Sequence, residues 1–336
     1  MPVKYPNIKL NEKGICNYCL EGKLNSREVD DKKTIEKRKI EFRKDFENLV
    51  KSCKGKSEYD CLLLYSGGKD STYLLYLLKE IYGLKVLAVT VNNGLMQEST
   101  KENIKNIVKH FNVDHVSFTP ENDFHKRLFR YYLTHKVDDE LYSKKICGSC
   151  ANIIISTGLN IATEKKIPFV ALGYAPNQTT FYEYSKEELL KSWVPKELYD
   201  EIFSDKDRSY FWNPENINKN DIPRFILPYY ILEYPGVEGI IKKLTELGLG
   251  TKKTMDPIKS NCHMCWLLYH LDIKKHGYFT GCEGTSNLIR AGKIKNRTKY
   301  FLIYTLGFWL LKHGLVKRKF IKKSLNHLNL KIANIS

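Results

Sequence analysis

Ser66-Gly67-Gly68-Lys69-Asp70-Ser71 sits between the apolar run Leu62 to Tyr65 and a Leu/Tyr pattern of helical period. Two glycines let backbone amides approach an anion with no Cβ in the way. The helix start behind them offers unpaired N–H groups at the positive end of its dipole. Ser66 and Ser71 add hydroxyl donors, Lys69 adds a charge, and Asp70 is placed either to cap the helix or to help hold Mg²⁺. The Walker A loop needs four residues between its first glycine and the Gly-Lys pair, and these are absent. What remains is a shorter anion loop pinned between a strand and a helix.

Cysteine is the second residue type able to do chemistry. Six of the nine cysteines form three Cys-x-x-Cys pairs: Cys16/Cys19, Cys147/Cys150 and Cys262/Cys265. Thiolates at that spacing can converge on one ion. One pair cannot complete tetrahedral Zn²⁺, so pairs must meet in space or recruit another ligand. All six are candidate metal ligands, for Zn²⁺ or for an iron–sulfur cluster. His263, between two of them, reads as a bystander. Cys53 and Cys282 read as structural, and Cys61 as core.

The elements that must position these residues follow from periodicity. "DCLLLYS", "KVLAVTVNN", "HVSFTP" and "IPFVALGYA" are strand-like runs, with helical segments at about residues 71 to 82 and 98 to 111 between the first three. Strands spaced by helices predict an α/β fold, a Rossmann-like doubly wound parallel sheet over residues 55–180 with ligands at the carboxyl ends of its strands. Asn92 and Asn93, with Gly94, end the second strand where such a fold meets a nucleotide, and an Asn/Gly turn explains them equally well. Gly173 closes the fourth strand beside the nucleotide, or simply as a strand-end glycine. Upstream, residues 1–54 hold the first cysteine pair and a lead-in helix from Asp30 to Lys54. Residues 181–295 form a substrate and metal region, irregular and aromatic to about Asp221 and mainly helical after it, with "RFILPYYIL" as a strand or buried lead-in.

Residues 296–336 form a basic, apolar-aromatic tail. The chain of 336 residues carries a net charge of +17, but no acidic residue follows Glu283, and twelve Lys and Arg lie from Arg290 onward. Without those twelve the body is only mildly basic, at about +5. The tail's apolar run is shorter than the roughly 20 residues of a membrane span. It suits an amphipathic helix packed on the body, an anionic membrane surface, or RNA phosphates. Arg290 itself suits a phosphate, a carboxylate or a surface ion pair. A 42% hydrophobic composition excludes disorder as a class. With no apolar leader visible and nine cysteines, the expected location is cytoplasmic.

"SGGKDS" resembles the pyrophosphate-loop motif of the adenine nucleotide alpha-hydrolase-like superfamily. That resemblance implies ATP bound with Mg²⁺ by Ser66, Gly67, Gly68, Lys69, Asp70 and Ser71, with Lys69 and Asp70 catalytic, and adenylation of a substrate oxygen. A closer resemblance, over about residues 5 to 180, is to the N-acetyl sugar amidotransferase family. It is carried by "GICNYC", "YDCLLLYSGGKDSTY", "VTVNNGL", "NVDHVSFTP" and the Cys-Gly-Ser-Cys at 147 to 150. It implies conversion of an N-acetyl group to an acetamidino group on a sugar or nucleotide-sugar for surface polysaccharide. The ammonia would come from a partner glutaminase, since no glutaminase is recognisable in this chain. The short "NCHMC" block and the tail depart from that family and leave the substrate open. The rival is the iron–sulfur tRNA thiolases of the same superfamily, in which a Cys-x-x-Cys and a remote Cys hold a [4Fe-4S] cluster, sulfur displaces AMP, and tRNA is the partner. The mildly basic body and the lack of an RNA-binding motif speak against it. A third reading is a non-catalytic nucleotide-binding scaffold, against which the intact Lys69 and Asp70 speak.

Overall fold

The computed structural model describes residues 4–20, 32–135, 140–176, 178, 181–249, 261–290 and 297–335. The chain divides into two compact units. One comprises Lys33–His125 and Ser149–Asn261, the other Met1–Lys32, Lys126–Gly148 and Cys262–Ser336.

The first unit is built on a five-stranded parallel sheet: β1 Cys61–Leu64, β2 Val86–Val91, β3 Asp114–Phe118, β4 Phe169–Leu172 and β5 Arg224–Ile226, in the order β3-β2-β1-β4-β5. This is the expected Rossmann-like α/β fold, with "RFILPYYIL" supplying the edge strand β5. β1, β2 and β4 are buried along their whole length, which is why they read as unbroken apolar runs. Successive residues serve opposite faces. Cys61, Leu63, Val86, Ala88, Phe169 and Ala171 join Leu74, Leu75 and Leu78 on one side. Leu62, Leu64, Leu87, Val89, Val170 and Leu172 join Ile155, Leu159 and Trp212 on the other. On that second side a Cβ at Gly158 would meet Leu64 Cδ2 at 2.7 Å, so this glycine sets how closely the helix Tyr142–Glu164 approaches the sheet.

The helix after β1 spans Lys69–Tyr76 and continues as a π-helical turn, Leu77–Ile81, in place of one regular helix. Glu98–His110 forms the second crossover. The lead-in helix covers Lys32–Cys53 and is tied to β5 by Arg224, whose guanidinium donates to Asp45 at 2.5 Å and to Glu183 at 2.6 Å. The aromatic stretch before β5 is organised by two capping boxes, Ser185 with Glu188 and Ser204 with Asp207.

The second unit is helical. It contains Met264–Lys275, Gly281–Arg290 and Arg318–His327, and the first turns of the long helix Tyr142–Glu164. Buried Asp272 accepts the backbone N–H groups of Tyr142 at 2.7 Å and Ser143 at 3.2 Å, placing a carboxylate at that helix's positive end. The basic tail is not one helix. Arg297–Leu302, a π-helical turn Ile303–Gly307 and Phe308–Lys312 form one helical rod, and Arg318–His327 a second. Between them Gly314 and Lys317 take positive φ, +64° and +60°, and reverse the chain. Among the described residues, Tyr142–Glu164 is the one helix long and apolar enough to cross a membrane, and half of its apolar window is buried within the fold.

Candidate functional site

β1 points into the loop from the place where the strand order reverses, since β2 and β4 flank it. Gly67 turns the chain with φ +69°, a conformation natural to glycine, and a Cβ there would meet Ile104 Cγ1 at 2.5 Å. Gly68 is the N-cap of Lys69–Tyr76 in an extended conformation and has no side chain to close the helix end. A serine or aspartate cap would occupy the N–H groups that a glycine leaves to an anion.

The side chains around this opening are held in place. The Ser66 and Ser71 hydroxyls lie 3.0 Å apart, and Ser71 Oγ donates to the Gly68 carbonyl at 3.1 Å. Asn103 Nδ2 donates to the Gly67 carbonyl at 2.6 Å. Lys69 and Asp70 form an ion pair. Asp70 also accepts Tyr234 Oη at 2.7 Å on its other oxygen, while Tyr229 Oη donates to the Asp70 carbonyl at 2.6 Å. Burial and the Asp70 charge push the Tyr234 phenol far above its ordinary range, so it stays protonated and remains a donor. Asp70 is therefore not the helix cap; it sits in the first turn as a carboxylate fixed from two sides.

Gly173 lies against this turn. A Cβ there would come within 3.2 Å of Ser71 Cα, so the close approach of β4's end to the loop requires glycine. Asn92 and Asn93 lie at the neighbouring strand end, but their side-chain oxygens are spent on the turn, accepting the N–H groups of Gly94 and Leu95 at 3.0 Å. Asn93 Nδ2 reaches Cys150 Sγ at 3.7 Å.

Two groups invisible to sequence reasoning complete the surroundings. Asn261, far along the chain, donates from Nδ2 to the Ser66 carbonyl at 3.3 Å, and its own carbonyl accepts Gln97 N–H at 3.0 Å. A Cβ on Gly68 would meet Asn261 Nδ2 at 2.8 Å, so this amide stands directly on the loop. Thr90 Oγ1 donates to the Tyr65 carbonyl at 2.6 Å and contacts His115 Nε2 at 2.9 Å. The threonine's one proton is used on the carbonyl, so His115 donates from Nε2, and burial lowers its pKa.

Cys16 and Cys19 hold their sulfurs 3.4 Å apart at the surface. Burial acts to raise Cys16, but the N–H and thiol of Cys19, with Arg290 nearby, bring its thiol below the ordinary value. Arg290 packs over Tyr18 at 5.6 Å and donates to Asn287. Cys147, Cys262 and Cys265 all bear on half-buried Tyr269, whose phenol is pushed up by burial first and then by Cys265 and Cys147. Their charges are felt there, yet among the described residues no group of three or more His, Cys, Asp or Glu is arranged to hold a metal. His263 stacks on Phe320 at 5.4 Å, and Cys53, Cys61 and Cys282 are buried, as expected.

A parallel sheet carrying a Ser-Gly-Gly-Lys-Asp-Ser turn at its switch point is a Rossmann-like α/β domain with an anion-loop arrangement at the end of β1. Residues 60–193 match the family model described as queuosine biosynthesis protein QueC. An uncharacterized protein of Methanocaldococcus jannaschii, MJ1599, is 43% identical over 74 residues, which are 22% of this chain and 27% of that protein. The match thus spans about a quarter of the curated relative's length. Among solved structures, the U34-tRNA thiolase NcsA of Methanococcus maripaludis, described with its [4Fe-4S] cluster, is similar at 16% identity and a TM-score of 0.38, covering 89% of this chain and 81% of that one. The NH3-dependent NAD synthetase of Campylobacter jejuni is similar at 14% identity and a TM-score of 0.38, covering 89% of this chain and 96% of that one.

Proposed function

We propose that this chain is an ATP-dependent amidotransferase that adenylates the N-acetyl oxygen of a sugar or nucleotide-sugar and exchanges it for ammonia, giving an acetamidino group in surface polysaccharide biosynthesis. The observation that carries the reading is the glycine-capped, open helix end at Gly68, with Lys69 beside it. The carboxamide oxygen attacks the α-phosphorus of ATP, and pyrophosphate leaves toward the loop. There the backbone N–H groups and Lys69 take up its charge, with Ser66 and Ser71 holding the loop's shape through their own hydrogen bonds. Asp70, steadied by Tyr234, is the residue that would meet Mg²⁺ carried by the phosphates, which would neutralise their charge. Ammonia then attacks the amide carbon, and AMP departs as a far better leaving group than the original oxygen. A partner glutaminase supplies the ammonia, and the setting is cytoplasmic.

One observation favours a second reading, sulfur transfer to tRNA or a small molecule: Cys147, Cys262 and Cys265 act on one phenol. Incubating the chain with MgATP and either ammonium or sulfide, against UDP-N-acetyl sugars and bulk tRNA, separates the two. Amidotransfer predicts AMP and pyrophosphate in equal amounts, dependent on sugar and ammonium, with O replaced by NH in the product's mass. Lys69→Ala should abolish both. Turnover that requires sulfide and tRNA would replace it with thiolation. Tight ATP binding with no AMP formed under any pairing would leave a scaffold.

A further inference from the structure

We propose that the outer face of the tail rod is a docking surface for an anionic lipid membrane. The rod Arg297–Lys312 rests on its own unit through Phe308 and Leu311, which are buried. Its opposite side carries Phe301, Leu302, Leu306 and Trp309, exposed by 65%, 52%, 55% and 54%. Leu302, Leu306 and Trp309 follow one another at four and three residues, the spacing of a single helical stripe. A water-facing helix ordinarily carries charges there, so an apolar stripe of this kind marks a contact surface.

Charge identifies the occupant. Lys299 and Lys312 stand near the two ends of the rod, and the next helix exposes Arg318, Lys319, Lys322 and Lys323. In the sequence, no Asp or Glu follows Glu283, so this end of the chain is purely cationic. Exposed apolar Trp, Phe and Leu with exposed cations next to them in the chain is the composition of segments that lie in the interface of a bilayer, with the aromatic and aliphatic groups among the acyl chains and the cations at the headgroups. RNA would use the cations but leave Leu302 and Leu306 in water. A rod closed on itself by burial of Phe308 and Leu311, reversed at Gly314 and followed by cationic residues suits attachment to one leaflet, not a crossing.

The test is co-sedimentation of the full chain with vesicles of phosphatidylcholine alone or mixed with phosphatidylglycerol at about three to one. Binding is expected to the anionic vesicles, weakening with salt. Leu306→Ser with Trp309→Ser should weaken it by about tenfold or more while pyrophosphate binding stays unchanged, which shows that the variant is folded. The blue shift of tryptophan fluorescence on binding should shrink in Trp309→Phe, which still binds. Failure of the wild type to bind, or equal binding by the double serine variant, would overturn the proposal. So would concentration-dependent dimerisation lost in that variant without vesicle binding, or tRNA binding that the variant loses.

Discussion

Asp70 shares its two carboxylate oxygens between Lys69 and Tyr234, and the tyrosine is the member of that trio with no charge of its own. Its removal therefore tests positioning alone. Tyr234→Phe should lower pyrophosphate release at saturating ATP on the order of tenfold, with little change in thermal midpoint, because a misdirected acid beside a phosphate costs orientation more than fold. Asn261 makes a sharper case. Its amide N–H groups face the loop, so Asn261→Ala should weaken pyrophosphate binding modestly. Asn261→Asp, which adds a like charge beside the anion, should weaken it by a further tenfold or so in titration calorimetry. The six loop residues were legible in the sequence because glycine, lysine and serine at those offsets have few other uses. Asn261 was not, since nothing in its neighbourhood, a cysteine pair, says that it returns to a loop nearly two hundred residues earlier. Asn92 and Asn93 were legible as a strand end, but their oxygens went to the turn.

At the scale of elements, β4 and the helix Lys69–Tyr76 meet at a single atom's clearance. Gly173→Ala places a methyl 3.2 Å from Ser71 Cα, and the helix start must yield by a few tenths of an ångström. The expected outcome is a several-fold higher KM for ATP with β-sheet stability nearly intact, seen by comparing initial rates with a denaturant curve. β1, β2 and β4 were readable because burial on two faces leaves a continuous apolar signature. β5 is three residues ending before Pro228, so short that "RFILPYYIL" reads equally as a strand or a buried lead-in. The tail's break was hidden for a different reason: the left-handed Lys317 has no sequence signature.

Over the whole molecule, one buried group in each unit responds to acid in the opposite sense to the other. In the sheet unit, burial lowers His125 to about 4 from 6.5. Its neutral form belongs to the native state, so its contribution is complete above about pH 6.5 and is lost as pH falls toward 4. In the helical unit, burial raises Asp272 from 3.8 to about 6. The native state holds that proton more tightly, so stability here falls as pH rises from about 4 to 6. Each shift corresponds to about 3 kcal/mol at most. Denaturant curves between pH 4 and 7 should therefore show His125→Phe flattening the acid loss, and Asp272→Asn flattening the opposing slope. Parallel pH curves for wild type and either variant would refute the assignment. Sequence reasoning could not anticipate this division, because the helical unit takes in residues 126–148 from the middle of the chain as well as both ends.

The two loop glycines differ in how a descendant chain could replace them. Gly68 is crowded at 2.8 Å by the tip of a mobile amide, which can swing away in response to one substitution. Gly67 is closed twice, by its φ of +69° and by Ile104 at 2.5 Å. Trimming residue 104 relieves one obstacle and leaves the other. Drift at this loop thus has an order imposed on it: Gly68 is open to a single step, whereas Gly67 can change only in a lineage that has already altered position 104, and the left-handed turn makes even that path steep.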